Sequence, residues 1–412
     1  MSLLVARQPV FDRKEQVVGY KLLYREAGYE SYTCENGDVA TSSVITASFL
    51  STTFDSLAGS KKVFVNFTDT FLKKGIATLF PPEQLVIDIL ETGKNTDEVV
   101  AACKKLKSLG YTICVGEFAL DANHEMLLNQ ADIVKINFLE RSKNEKREIV
   151  QRYSVRNIEF LADKVENYEE YQNAFYWGYT YFQGYFFAKP QIVSSQGIQP
   201  SKLNQIRLLS ILSEKEFDFA KVADIIEMDT AFSYEILKIA NSSYFSRGTQ
   251  IKTIKHALVR LGMADVKKWC YIAALCKERE GNHDEVINRS MIRAKFLEVL
   301  AEELGLKMKK AEYAAVGILS SLDVLLGVPM EKALLEIHLS EELSGTLLGR
   351  EEAGGTLLTK SYQLILACEE GMWERVVDIA QHINIDLSRI ADIHNEAIKW
   401  VLNFNQEVLV SS

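Results

Sequence analysis

Five short segments carry the polar residues around which an active site could be built. They are G-Y-K-L-L-Y-R (19–25), V-F-V-N-F (63–67), I-D-I-L-E (87–91), C-V-G-E-F (114–118) and D-I-V-K-I-N (132–137). Each lies on or beside a short β-like run, which places the polar residues near strand ends. Asn66, Asp88, Glu91 and Glu117 carry oxygens of the kind hard divalent cations take. Lys21 and Lys135 carry ammonium groups, which serve as counter-charges for phosphates. Lys21 and Gly116 have the wrong chemistry for metal-assisted hydrolysis, one being cationic and the other lacking a ligand atom. The set has the makings of an enzyme site at which metal chemistry is not expected.

The elements that must position these residues divide the chain in two. From Leu3 to about Pro190, Val- and Ile-rich runs alternate with helical stretches. Leu3–Arg7 and Val17–Leu23 flank the turn F-D-R-K, a hairpin. Val63–Phe67, Leu85–Leu90, Tyr111–Val115, Ile133–Ile136 and Ile158–Ala162 are the next expected strands. Between them, Val99, Val100, Cys103, Leu106 and Leu109 mark a helix face that stops at Gly110. Repeated strand–helix units imply a mostly parallel sheet. At under 200 residues the stretch is short beside the roughly 250 of a usual (β/α)₈ barrel. Periodicity therefore leaves open both a closed barrel and an open doubly wound sheet.

Around Gln191–Lys202 the sequence turns to Ser, Gln, Gly and Pro, the composition of a linker. Beyond it the spacing is helical, with runs at 220–226, 232–240, 255–261, 266–275, 287–304, 312–326 and a final helix from Leu387. The division is a barrel or sheet domain over 1–196, a linker at 197–201 and a helical domain over 202–412. Two domains of about 200 residues suit the length of 412.

The net charge of −9 argues against nonspecific binding to nucleic acid or acidic membrane. Lys252, Lys255, Arg260, Lys267 and Lys268 form a modest basic region, but acids dilute it and no recognition-helix pattern accompanies it. The apolar runs fall far short of the roughly 20 residues that span a bilayer. No basic region followed by an apolar stretch begins at Met1, so no signal peptide is expected. The six cysteines form no C-x-x-C pair, and five of them (Cys103, Cys114, Cys270, Cys276 and Cys368) sit in apolar surroundings. Buried thiols in a reducing cytoplasm are the expectation.

Several fragments, in order, resemble known families. Y-F-Q-G-Y-F-F-A-K-P (181–190) and G-Y-K-L-L-Y-R resemble the ending and opening motifs of the EAL family, barrel enzymes that hydrolyse cyclic diguanylate with two divalent metals. D-I-I-E-M-D (224–229), A-N-S-S-Y-F (240–245) and I-K-H-A-L-V-R-L-G (254–262) resemble the HDOD domain, a helical relative of metal-dependent HD hydrolases. The resemblance covers nearly the whole chain and implies a bacterial EAL–HDOD signalling protein. The fold it implies is multidomain α/β plus all-α, an EAL-like (β/α) TIM-type barrel followed by an HDOD helical domain.

It also implies which positions form the site. The family's first metal-binding glutamate falls on Lys21, and its asparagine ligand on Asn66. The paired acids fall on Asp88 and Glu91, the first shortened by a methylene. The D-D-F-G motif falls on Gly116, Glu117, Phe118 and Ala119. Its water-orienting lysine falls on Lys135, its A-E-G-V-E motif on residues including Asp163 and Glu166, and its last-strand glutamine on Gln183. Two-metal hydrolysis needs carboxylates clamping two ions about 4 Å apart. An ammonium about 4 Å from a +2 ion costs about 8 kcal/mol at an effective dielectric of 20.

Each retained residue has a plainer role open to it. Asn66 could cap a helix starting near Thr68, Lys135 could pair with Glu91, Gln183 could satisfy a loop carbonyl, and His124 reads as a loop residue. In the helical half, Ser320 and Ser321 stand near the place of the His-Asp doublet, leaving Asp323 without a histidine partner. The literal His283-Asp284 pair lies upstream in a polar loop, and His256, His338 and His382 are dispersed.

Three functions remain open. The leading one is a noncatalytic signal-transduction scaffold that binds signalling proteins, with no cofactor and with homodimerisation as a further expectation. The second is a cyclic diguanylate receptor using Lys21, Asn66, Lys135 and Gln183. The third is residual phosphodiesterase activity, which would bring Mg²⁺ or Mn²⁺ with it.

Overall fold

The computed structural model describes residues 3–26, 57–90, 97–120, 124–188, 212, 219–228, 230–242, 245, 251–262, 266–276, 284–335, 337, 339–350 and 355–409. The chain divides into two compact units, one of Met1–Phe187 with Cys368–Gly371 and one of Ala188–Ala367 with Met372–Ser412. The proposed linker at 197–201 lies outside the described residues.

The first unit is a closed barrel of eight strands in sequence order. They are β1 (Leu3–Phe11), β2 (Val17–Glu26), β3 (Lys62–Phe67), β4 (Leu85–Ile89), β5 (Thr112–Gly116), β6 (Ile133–Asn137), β7 (Glu159–Val165) and β8 (Tyr181–Gly184). Closure removes the doubly wound alternative. The hairpin makes β1 antiparallel to β2, and β1 closes the barrel antiparallel to β8; all other neighbours are parallel. The hairpin turn is held by Asp12, whose Oδ1 accepts from the Lys14 and Gln16 amides at 2.8 and 2.9 Å.

The barrel closes in fewer residues than usual because several connections are short. α1 (Asp69–Lys73) and α3 (Glu125–Leu128) are little more than a turn each. α2 (Asp97–Ser108), α4 (Lys143–Tyr153) and α5 (Tyr168–Trp177) are longer. α2 buries Val99, Cys103 and Leu106 of the expected face, while Val100 is partly buried and Leu109 lies beyond the helix and is exposed. α4 starts on a capping box in which the Glu145 amide donates to Ser142 Oγ and the Ser142 amide to the Glu145 carboxylate.

Strand alternation sorts the barrel into two apolar layers. Val10, Phe64, Val86, Cys114, Ile133 and Leu161 form a compact interior cluster. A larger layer, including Val65, Ile87, Val115, Val134 and Ala162, packs between the strands and the helices outside them. Two residues beyond the interior set, on the same face, come Asn66, Asp88, Gly116, Lys135 and Asp163. The period of two thus delivers these five positions to the inner face at the C-terminal ends of β3 to β7.

The second unit contains, among the described residues, helices and no strand. In order they are α6 (Phe219–Glu227), α7 (Thr230–Asn241), α8 (Ile254–Leu261), α9 (Val266–Cys276), α10 (Asp284–Glu303), α11 (Lys310–Leu319), α12 (Leu322–Leu326), α13 (Met330–Leu335), α14 (Glu341–Leu347), α15 (Leu357–Glu370), α16 (Trp373–His382) and α17 (Leu387–Leu409). The helix expected over 312–326 is broken at Ser320–Ser321. Ser320 Oγ donates to the Gly317 carbonyl at 2.6 Å, a local bond that competes with helix continuation. Trp269 is fully buried, stacked on Phe404 with ring centroids 5.7 Å apart. No helix of the described residues is long and apolar enough to cross a membrane.

α10 and α11 cross with backbones nearly touching at Gly317. A Cβ there would lie 2.2 Å from the Ala294 amide nitrogen, so only glycine fits. Gly317→Ala is expected to destabilise the helical unit by about 2 kcal/mol or more, at the upper end for overpacking. Amide hydrogen exchange should speed up across 284–303 and 310–319 and stay unchanged in β3 to β7.

Candidate functional site

Asp88 is the hub of the barrel mouth. It lies on the inner face of β4 and is only 1% exposed. Lys21 Nζ, from β2, lies 3.2 Å from Asp88 Oδ2, and Lys135 Nζ, from β6, donates to the same oxygen at 2.5 Å. Both lysines are mostly buried. Asp88 Oδ1 is buried and has no hydrogen-bond partner among the described residues.

The strand order explains how two distant lysines reach one carboxylate. β3 separates β2 from β4, and β5 separates β4 from β6. Gly116 is the inner residue of β5 paired in register with Lys135. Having no side chain, it adds no donor to the cluster. An aspartate at that position would bring a second carboxylate to the residue in register with Lys135 and compete for its ammonium.

Burial works against the Asp88 carboxylate and would raise its pKa. The Lys135 and Lys21 ammonium groups overcome it and hold the group below the usual carboxylate range. Burial likewise opposes charge on Lys135, but Asp88, Cys114 and Asp163 reverse that effect and push its pKa upward. Cys114, on the interior face below, has its thiol pushed up by burial, with Asp88 adding to the effect. The chemistry is that of a charged Lys–Asp–Lys cluster in a dry setting.

The remaining sequence-derived positions divide. Asp163 is buried, and its Oδ1 accepts from the Lys164 amide at 3.0 Å, fixing a residue with φ of 58°. Gln183 is buried, and its Nε2 donates to Gln8 Oε1 at 2.8 Å, so its partner is a side chain rather than a loop carbonyl. Gln8 was missed by sequence reasoning; its register position opposite Lys21 in the hairpin is the signal that places it at the mouth. Asn66 is half-buried on β3 and does not cap α1, whose N-cap is Thr68. Glu166 is exposed just past β7, its amide donating to Glu170 Oε2 at 2.9 Å. Glu117 opens the 3₁₀ turn that follows β5. Glu91, the partner expected for Lys135, lies outside the described residues; among the described residues Lys135 pairs with Asp88.

The EAL family implies two divalent cations here, and the donor set does not fit them. Asp88 Oδ2 is engaged by two cations of the protein itself, Lys21 stands where a carboxylate would, and Gly116 offers no donor. Among the described residues, no group of three His, Cys, Asp or Glu side chains is arranged to hold a metal ion.

The helical unit has a parallel feature. Arg293, on α10, is 7% exposed and donates through Nη1 to Ser320 Oγ at 3.0 Å. Asp323 lies close enough to feel it: burial pushes its carboxyl up, with local amides and Arg293 partly opposing. His256 and His382 are exposed, and His124 precedes α3 as its N-cap. His283 and His338 lie outside the described residues. In the basic region, Lys268 is paired with Glu298 at 3.0 Å and Arg260 donates to the Phe245 carbonyl at 3.3 Å.

Comparison with known proteins agrees with this architecture. Residues 60–190 match the EAL domain and residues 200–351 the HDOD domain. The chain is 36% identical over 411 residues to the uncharacterized protein YuxH of Bacillus subtilis, covering 98% of this chain and 99% of that one. It is 28% identical over 405 residues to the cyclic di-GMP phosphodiesterase CdgJ of Vibrio cholerae, covering 98% and 93%. Among solved structures, an EAL domain protein from Listeria monocytogenes matches at 20% identity with a TM-score of 0.35, over 45% of this chain and 87% of that one. The ground for the barrel assignment is its own strand topology. The chain belongs to the two-domain EAL–HDOD family of signalling proteins.

Asp88→Asn would leave two buried ammonium groups facing each other, at a cost of about 3 kcal/mol or more to the barrel near neutral pH. The folded pKa of Asp88 is depressed, so its contribution is present above the unfolded carboxylate range and lost as pH falls through the folded value. Urea unfolding of wild type and Asp88→Asn should therefore show a large gap at neutral pH that narrows with acidification.

Proposed function

We propose that this chain is a non-hydrolytic component of cyclic diguanylate signalling that acts by contacting protein partners. The observation that carries this reading is the Lys21–Asp88–Lys135 cluster, in which side-chain cations take the carboxylate that metal-assisted phosphodiester hydrolysis needs. In the helical unit, Arg293 donates to Ser320, one of the two serines that stand near the place of the His-Asp doublet. Groups of helices with apolar faces are suited to receive partner segments. Buried free thiols at Cys103, Cys114, Cys270 and Cys368 support a reducing, cytoplasmic setting.

A second reading is cyclic diguanylate hydrolysis, favoured by the similarity to CdgJ along nearly the whole chain. A third, a metal-free cyclic diguanylate receptor, would draw on Lys21, Asn66, Lys135 and Gln183. It is weakened because both ammonium groups are committed to Asp88, so a phosphate would compete with a buried carboxylate.

Calorimetric titration of the full chain with cyclic diguanylate, with and without Mg²⁺ or Mn²⁺, alongside chromatography for the linear dinucleotide, separates these readings. The expected result is no linear product under any condition. Turnover with either metal would overturn the non-hydrolytic reading, and metal-independent binding without turnover would move the assignment to a receptor.

A further inference from the structure

We propose that Lys21 is a tethered substitute for a divalent cation, keeping the barrel mouth assembled when no ion is bound. This goes beyond the absence of hydrolysis: it assigns Lys21 a positive structural task. A carboxylate as buried as Asp88 needs compensating charge, or it would protonate or destabilise the barrel. Lys21 and Lys135 converge on one oxygen, bringing together the formal charge of a single divalent ion. They come from β2 and β6, on either side of β4, so the cluster ties three strands that are not adjacent. A bound ion bridges separate elements in the same way.

Two further features fit this role. Gly116, in register with Lys135, brings no second carboxylate to compete for the Lys135 ammonium, so the second substituted position serves the same cluster. Asp88 Oδ1 stays buried without a partner among the described residues, leaving an acceptor that a true cation could use once Lys21 is removed.

The test is the thermal unfolding of the full chain in EDTA and in millimolar Mg²⁺, Mn²⁺ or Ca²⁺, for wild type, Lys21→Met, Lys21→Arg and Lys21→Met/Asp88→Asn. Wild type and Lys21→Arg should melt at the same temperature in EDTA and with each ion. Lys21→Met should melt several degrees lower in EDTA and regain part of the loss with a divalent ion, and the double variant should regain none. If Lys21→Met is unfolded in EDTA, refolding on addition of an ion supports the proposal and failure to refold with every ion overturns it. An unchanged melting temperature in Lys21→Met, a loss that no ion repairs, or a wild type that EDTA destabilises would each overturn it. The readout is separate from turnover. Linear dinucleotide formed by a wild type whose melting ignores divalent ions would refute the proposed function and leave Lys21 in this role.

Discussion

A single buried carboxylate sets the terms for the rest of the barrel mouth. Asp88 has to be charged in a place that water barely reaches, and the two ammonium groups that make this tolerable come from strands on both sides. Everything around it follows from that need. Gly116, in register with Lys135, adds no competing carboxylate, and Cys114 beneath is held as a neutral thiol. Taking two ammonium groups and a carboxylate out of water is costly, and close pairing recovers the cost only when the geometry is tight. The cluster therefore favours the closed arrangement of β2, β4 and β6 over looser ones.

The separation of layers explains how the fold persists with altered chemistry. The barrel interior and the helix-facing layer are apolar and lie apart from the polar residues at the strand ends. Exchange of a carboxylate for Lys21 or Gly116 leaves those layers untouched. The same is true in the helical unit, where the α10–α11 crossing depends on Gly317 and its neighbours, while Arg293 and Ser320 carry the polar contact. Fold and site chemistry are set by different residues, so one can be kept while the other changes.

Much of this was legible in the sequence. The Val- and Ile-rich runs located β3 to β7 within a residue or two at most ends. Barrel closure was not legible from periodicity, because a run of alternating residues carries no information about which strand meets β8. The pairing of Lys135 with Asp88 escaped for a related reason: periodicity does not show which side chains of β4 and β6 meet across β5. Gln8 went unnoticed because one glutamine in a hairpin strand has no motif, although its position opposite Lys21 places it at the mouth. The break at Ser320–Ser321 escaped because apolar spacing runs on through 312–326 while serine side chains redirect the backbone.

The central claim is that side-chain cations take the place of metal at Asp88. Anomalous scattering from crystals of the wild-type chain soaked in Mn²⁺ tests it most directly. The expected map shows Lys21 and Lys135 density on the Asp88 carboxylate and no anomalous peak at the barrel mouth. One or two manganese peaks coordinated by Asp88, with the lysines displaced, would contradict it.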